Sequence, residues 1–439
     1  MCVCVYLTCV CVCVFSVECV SNVCVFSVEC VSNVCVCVFS VECVSNVCVC
    51  VCVCVFSVEC IPNVCVCVFS VECVSNVCVC VCVCVFSVEC VSNVCVCVCV
   101  CVFSQKVYSE CNQTGPRSFQ DCLPAARMKL CRKVGEGAFG EVFSTTNSSG
   151  DAVALKIIPV EGCDRVNGEE QKTFGEILHE IIISKYVSVC LYVCLSVCTN
   201  GVCLLHCVQG CYPPGLLKAW DSFKTQRGSE NDRPDFFSEE QLFLILEFEF
   251  GGSDLENSNG QLASVMVAQS ILHQVTAALA VAEQELCFEH RDLHWGNVLV
   301  QSSKEKEASF LLDGTNHSLE TRGVSVRIID YSLSRLEIDG LTVSCDISAD
   351  EELFQGRGDY QFDIYRLMRQ ENGNVWGDYQ PHSNVLWLHY LSSKLLTMTY
   401  KGRGWRGVKQ ARLDLQRFHD NVLAFRSASD VLYNCGLFQ

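Results

Sequence analysis

Residues 135–140 read Gly-Glu-Gly-Ala-Phe-Gly, and the segment directly after them restricts the fold more than any other stretch of the chain. A Gly-x-Gly-x-x-Gly turn occurs in dinucleotide-binding folds and in loops that cover nucleotide phosphates. The dinucleotide fold requires a helix directly after the last glycine. Here Glu141-Val-Phe-Ser runs into Thr145-Thr-Asn-Ser-Ser-Gly-Asp151, a cluster of turn formers, and then into Ala152-Val-Ala-Leu-Lys156-Ile-Ile. The order is strand, turn, strand. Glycines in such a loop let backbone amides approach phosphate oxygens without a side-chain clash.

Composition divides the chain of 439 residues into two unlike parts. Residues 1–104 hold 28 of the 41 cysteines, no Lys or Arg, and six charges, all Glu. They repeat a unit that begins Phe-Ser-Val-Glu-Cys, with copies at Phe15, Phe26, Phe39, Phe56, Phe69 and Phe86. The length of the Val-Cys run between copies varies. Stacked structural repeats hold their period. A run of alternating TG nucleotides reads as Cys-Val-Cys-Val and changes length freely, so the segment reads as translated simple repeat, disordered or an artefact of the reading frame. Cysteines at i and i+2 share one face of a strand and make poor disulfide partners. The recurring Glu interrupts any apolar span of about 20 residues. If expressed, the segment is expected to aggregate.

A second repeat lies at 187–198, Val-Ser-Val-Cys-Leu-Tyr-Val-Cys-Leu-Ser-Val-Cys, with Cys-Leu-Ser-Val at period four. Cys190, Cys194 and Cys198 would share a helix face. No His or second Cys pair frames them at zinc spacing. Residues 105–439 carry 31 basic and 43 acidic residues, a net charge of −12. That disfavours nucleic-acid binding, which leaves a basic footprint, and suits a basic partner.

The remaining signals concern phosphate chemistry. Lys156 in Val-Ala-Leu-Lys stands where a strand lysine contacts α- and β-phosphates. Residues 169–185 keep a helical period, with Phe174, Ile177, Leu178, Ile181 and Ile182 on one face. Glu176 and Glu180 are both candidates to pair with Lys156. Glu180 is chosen because it lies centrally in the helix. Leu242-Phe-Leu-Ile-Leu-Glu247 reads as a buried strand leading into Phe248-Glu-Phe-Gly-Gly252, a hinge whose backbone can meet a purine.

His290-Arg-Asp-Leu-His-Trp-Gly-Asn297 matches H-R-D-x-x-x-x-N. The spacing presents Asp292 as a base and Asn297 as a metal ligand from one short loop. His294 replaces the usual lysine, so its charge depends on pH. Asp330-Tyr-Ser comes after an apolar run and occupies the place of D-F-G; Asp330 can bind magnesium, and Ser332 is less free than glycine. No A-P-E stands downstream.

Together these residues resemble the haspin family of atypical eukaryotic protein kinases, from about Lys129 to Gln439. Distinctive stretches are Gly168-Glu-Glu-Gln-Lys-Thr-Phe, Asn231-Asp-Arg-Pro-Asp-Phe-Phe, Glu247-Phe-Glu-Phe-Gly-Gly, Phe288-Glu-His-Arg-Asp-Leu-His-Trp-Gly-Asn, Ile329-Asp-Tyr-Ser-Leu-Ser-Arg and Gly358-Asp-Tyr-Gln-Phe-Asp-Ile-Tyr-Arg. The resemblance implies an α+β bilobal protein-kinase fold. The expected divisions are the repeat at 1–104, a linker at 105–126, a small lobe and hinge at 127–253 with the repeat-like insertion 187–198, and a large lobe at 254–439. It implies ATP and Mg2+ as cofactors. Asp292, Lys156, Glu180 and His294 would be catalytic. Gly135, Gly137, Gly140, Val142, Ala154, Lys156, Phe248, Glu249 and Gly251 would line the nucleotide site. Asn297 and Asp330 would hold metal, and Asp363 would brace the catalytic loop from a buried position.

Haspins phosphorylate a threonine near the free amino terminus of histone H3 in mitosis, and their activation segment is ordered without phosphorylation. The resemblance therefore implies a serine/threonine kinase of nucleus and mitotic chromosomes, monomeric, with no membrane or direct nucleic-acid partner. Its basic substrate tail would meet Asp254, Asp350, Glu351 and Glu352, where bidentate arginine contacts are favourable. Read without the resemblance, Asp350-Glu-Glu is a solvated acidic turn. Two other readings remain open. One is a small-molecule kinase of choline or aminoglycoside type, whose loop also runs H-x-D-L-H-x-x-N. The other is a catalytically dead scaffold, produced if the insertion at 187–198 disturbs the Lys156–Glu180 pair.

Overall fold

The computed structural model describes residues 100–194, 202–402 and 407–438, together with the backbone of seven strands between Cys2 and Cys97. The chain divides into two compact units, residues 1–106 and 107–439.

In the first unit the repeat forms a seven-stranded sheet, where disorder was expected. The reason is local: alternating Val and Cys suits extended backbone. Identical copies pair in parallel, so Phe15, Phe39, Phe69 and Phe86 fall at successive register positions. Glu18, Glu42, Glu72 and Glu89 do the same.

The second unit has the α+β bilobal architecture of protein kinases. Its small lobe is built on a six-stranded sheet in the order Arg117–Ser118, Val202–Gln209, Leu242–Glu249, Ala152–Val160, Gly140–Thr146, Arg132–Gly137. All pairings are antiparallel except the first. Residues 105–126 are not a free linker. Arg117–Ser118 adds an edge strand, Val107 is fully buried, and Phe119 and Leu123 enter the core beside Phe243 and Tyr212. A linker would leave these apolar side chains in water.

The helix Phe174–Cys194 starts later than its periodicity suggested. Thr173 and Glu176 form a reciprocal cap that fixes the start: Thr173 N donates to Glu176 Oε2 at 2.7 Å and Glu176 N to Thr173 Oγ1 at 3.3 Å. Glu176 is thereby a capping residue. Phe174, Ile177, Leu178 and Ile181 pack under the sheet, while Ile183, Val187 and Leu191 reach the large-lobe core. The first residues of the repeat-like segment thus continue the helix. Residues 195–198 lie outside the described residues.

The large lobe surrounds the helix Val265–Leu286, which is long and apolar enough to cross a membrane but is mostly buried here as a core helix. Helices Gln361–Glu371, His382–Thr397, Val408–Asn421 and Ala428–Asn434 complete it. Strands Val298–Ser302 and Val324–Ile328 pair and carry the two loops of the cleft.

Candidate active site

Strand alternation places the upper half of the site. On Ala152–Val160, Val153, Leu155 and Ile157 enter the core, and Ala154 and Lys156 stand half-exposed on the other face. Their cross-strand partners on that face are Phe248, opposite Ala154, and Val142, opposite Lys156. Lys156 Nζ lies 2.6 Å from Glu180 Oε1 and 3.4 Å from Asp330 Oδ2. Burial disfavours its charge, but the carboxylates of Asp330 and Glu180 prevail and raise its pKa. Glu180 is buried and bonds a second lysine, Lys172, through Oε2 at 3.3 Å.

The glycines of the loop have different reasons to be glycine. A Cβ on Gly140 would stand 2.3 Å from the Ile157 carbonyl oxygen. On Gly137 it would meet nothing within 4 Å, and on Gly135 only Val142 Cβ at 3.7 Å. The protein's own packing therefore requires Gly140 and leaves open room at Gly135 and Gly137, which fits a phosphate approaching the backbone. Past the hinge the demand comes from the large lobe: a Cβ on Gly251 would stand 2.5 Å from Leu299 Cδ1. The side chain of Glu249 turns away to Arg327, 2.8 Å from its Nη2.

The lower half centres on Asp292. Tyr365 Oη donates to its Oδ1, and Asn297 Nδ2 donates to its backbone oxygen at 2.8 Å and to Oδ2 at 3.3 Å. Burial pushes the Asp292 carboxyl up to about 6, opposed by nearby His294 and by the Tyr365 hydrogen bond. His294 Nδ1 accepts from Gly296 N at 3.1 Å, so a neutral His294 carries its proton on Nε2, 4.0 Å from Asp292 Oδ1.

The loop is held from behind. His290 is fully buried, accepts from Asp292 N on Nδ1 and contacts the Ile329 carbonyl through Nε2 at 3.1 Å. Asn384 accepts from His290 N at 3.1 Å, and Ser334 Oγ donates to the His290 carbonyl at 2.8 Å. Arg291 adopts φ +65°, a conformation that costs non-glycine residues energy. A two-pronged ion pair with buried Glu289, both distances 3.1 Å, holds it there. Asp363 does not brace this loop. The phase of its helix turns Ile364, Tyr365 and Met368 inward and leaves Asp363 exposed, paired with Arg366.

Asn297 and Asp330 meet where Ile329 N donates to the Asn297 carbonyl at 3.0 Å. With Nδ2 committed to Asp292, Asn297 has Oδ1 to offer. Burial acts to raise the Asp330 pKa, but Lys156 and a hydrogen bond from Ser332 hold it well below the usual carboxylate range. Two such oxygen donors suit Mg2+. Among the described residues no cluster of three or more His, Cys, Asp or Glu forms a metal site. Cys190 is half-buried, and the side chains of Cys194 and Cys198 lie outside the described residues.

The acidic candidates for substrate lie in exposed positions except half-buried Asp254. Asp254 Oδ1 accepts from Asn257 N at 2.7 Å. Asp350 caps the helix Glu351–Gln355 through Leu353 N at 2.9 Å, and Glu351 lies 4.0 Å from Arg369. Sequence reasoning missed Tyr365, Lys172, Glu289 and Asn384. Tyr365 and Asn384 reach the loop across 73 and 94 residues, which no local motif announces; Lys172 and Glu289 have side-chain partners nearby in the chain but at spacings that match no motif.

Comparison with known proteins agrees with this geometry. The family described as Haspin like kinase domain matches residues 102–430. Serine/threonine-protein kinase haspin of Mus musculus is 57% identical over 339 residues, covering 76% of this chain and 45% of the mouse protein. The Bos taurus protein of the same name is 54% identical over 342 residues, covering 76% and 43%. The Drosophila melanogaster homolog is 38% identical over 335 residues, covering 74% and 59%. The chain spans less than half the length of the mouse and bovine relatives it matches. A glycine-rich strand turn, a lysine on a buried helix glutamate and an H-R-D loop in one cleft thus coincide with the matched region, and the chain belongs to the haspin-like kinase domain family.

Proposed function

We propose that this protein is an ATP-dependent serine/threonine kinase that phosphorylates a threonine near the free amino terminus of histone H3, on mitotic chromosomes in the nucleus. The observation that carries the reading is that Lys156 reaches both Glu180 and Asp330 while Asn297 ties Asp330's loop to Asp292. The intact Lys156–Glu180 pair favours activity over a dead scaffold.

In this reading Lys156 contacts the α- and β-phosphates, and Glu180 keeps it aimed. The hinge backbone at Glu249 and Gly251 meets the adenine edge, with Val142 and Ala154 against its faces and Phe248 guarding the back pocket. Asn297 and Asp330 would hold magnesium, which would neutralise charge building on the phosphates. Asp292, ionised above its raised pKa, orients the threonine hydroxyl and takes its proton. The hydroxyl oxygen bonds to the γ-phosphorus as the bond from that phosphorus to the β–γ bridging oxygen breaks, leaving ADP. His294 offers Nε2–H beside the reacting oxygens. Asp254, Asp350, Glu351 and Glu352 attract a basic tail.

ATP-dependent labelling of an amino-terminal histone H3 peptide tests this. Threonine phosphorylation is expected. Label on choline or an aminoglycoside instead of peptide, or no transfer at all, would overturn it.

A further inference from the structure

The glycine-rich loop is restrained at three consecutive residues by segments that no phosphate contact explains. Asn231 Nδ2 donates to the Gly137 carbonyl at 3.1 Å, and Asn167 Nδ2 donates to the Ala138 carbonyl at 3.0 Å. Lys172 Nζ stands 4.8 Å from the centre of the Phe139 ring. Lys172 itself is set by backbone: Glu161 N donates to its carbonyl at 3.1 Å, and it bridges to Val160 at the end of the Lys156 strand.

The same ammonium bonds Glu180 Oε2 at 3.3 Å, so Glu180 gives one oxygen to Lys156 and the other to Lys172. Lys172 Nζ therefore joins the loop tip to the carboxylate that aims the phosphate-contacting lysine. Its side chain is 18% exposed, which removes much of the water that would weaken a cation–ring contact.

We infer that Lys172 is a positioning residue of the nucleotide site: by holding Glu180 and the Phe139 ring together, it sets the glycine-rich loop over the cleft before nucleotide arrives. The inference rests on the kinase reading for its consequence in catalysis. The tether itself is a property of the protein without nucleotide. A neutralising counter-ion role alone would not need the ring, and a role in folding alone would not act on the loop selectively.

Lys172→Met keeps the aliphatic stem and removes the charge; Lys172→Arg keeps a cation over the ring; Phe139→Leu removes the ring. Hydrogen exchange at the amides of 137–141 in the nucleotide-free full chain should quicken about three- to tenfold in Lys172→Met and in Phe139→Leu. Lys172→Arg should restore most of the protection. With ATP and histone peptide, Lys172→Met should raise the KM for ATP by a similar factor with a smaller change in kcat. The double variant Lys172→Met with Phe139→Leu should be little worse than Lys172→Met alone, because that variant already removes the contact with the ring. Unchanged exchange at 137–141, or fully additive effects in the double variant, would overturn the inference. If the parent protein transfers no phosphate, the kinase reading fails, and the exchange measurement still decides the tether.

Discussion

Tyr365 donates its hydroxyl to Oδ1 of Asp292, joining the helix Gln361–Glu371 to the catalytic loop across 73 residues. The ring is buried and meets Trp387 edge-on at 5.3 Å. Burial first, and then the Asp292 charge, raise the Tyr365 pKa, so it remains a donor at any working pH. A fixed donor favours the ionised carboxylate and selects which oxygen faces the substrate. Tyr365→Phe keeps the ring and removes the donor. A hydrogen bond to a charged group contributes about 1.5–3 kcal/mol, so kcat should fall roughly tenfold or more. The KM for ATP should barely move. Steady-state kinetics at saturating ATP decide it; parental kcat would remove Tyr365 from the site.

Asp292→Asn separates base chemistry from binding. The amide cannot accept the threonine proton but still fills the space beside Asn297. Nucleotide affinity should stay near the parental value while turnover drops by about 10²–10⁴-fold. Titration with a fluorescent ATP analogue and a peptide assay together check both halves. Near-parental turnover would show that another group takes the proton.

The placement of Lys156, Asp292 and Asn297 in one cleft was legible because it needs only local spacing: a strand after a glycine turn, and a loop that sets Asp292 and Asn297 five positions apart. Glu180 was chosen over Glu176 for a central position; the observed helix starts at Phe174 and puts Glu180 in its second turn, and what separates the two is that Glu176 is occupied in the cap. Asp363 misled because its neighbours match a familiar stretch, while the helix phase that turns Tyr365 inward turns Asp363 out. Tyr365 and Lys172 were invisible for one physical reason. Their partners are fixed by lobe packing, which no spacing in the chain encodes. The supposed linker failed differently: Phe119 and Leu123 are spaced for a short turn of helix, and only the sheet beside them shows what they cover.

Two truncations test where the folded unit starts. A chain beginning at Gln105 keeps Val107, Phe119 and Leu123 and loses the Val-Cys runs. It should be more soluble than the full chain and at least as active. A chain beginning at Arg127 loses both Phe119 and Leu123 from a closed core. Deleting a buried large apolar side chain costs about 2–5 kcal/mol, so this chain should melt well below the first or fail to fold. Equal melting temperatures would mean that 105–126 contributes nothing.

His290 sets a dependence of stability on pH. Its burial depresses the folded pKa to about 4 from the ordinary 6.5. Between those values the unfolded chain binds more protons at this site than the folded one. The contribution is therefore complete above pH 6.5 and is lost as pH falls toward 4, by at most about 1.4 kcal/mol per pH unit. His290→Gln retains a donor for the Ile329 carbonyl and an acceptor for Asp292 N, and it does not titrate. Its urea midpoint should fall less steeply between pH 6.5 and 5 than the parent's. Parallel slopes in the two proteins would show that His290 is not the group responsible.

The acidic turn at 350–352 is best tested at two of its three carboxylates. Asp350 caps its helix, and losing that cap costs about 1 kcal/mol by itself, which would blur a substrate effect. Glu351 and Glu352 are exposed in the first turn, so Glu351→Lys with Glu352→Lys reverses surface charge with the cap intact. Lysine in a first turn opposes the helix dipole by about 0.3–1 kcal/mol, a small loss for a whole domain. The KM for a basic histone peptide should rise far more than the KM for ATP. Added salt should weaken peptide use by the parent more than by the variant, because exposed charges are screened over roughly 8 Å at physiological ionic strength. Acetylating the peptide's amino terminus should also raise its KM, since that removes a positive charge near the acceptor. If parent and variant discriminate equally between basic and neutral peptides, the acidic turn is a solvated surface feature. Specificity would then have to come from the shape of the cleft around His294 and Trp295.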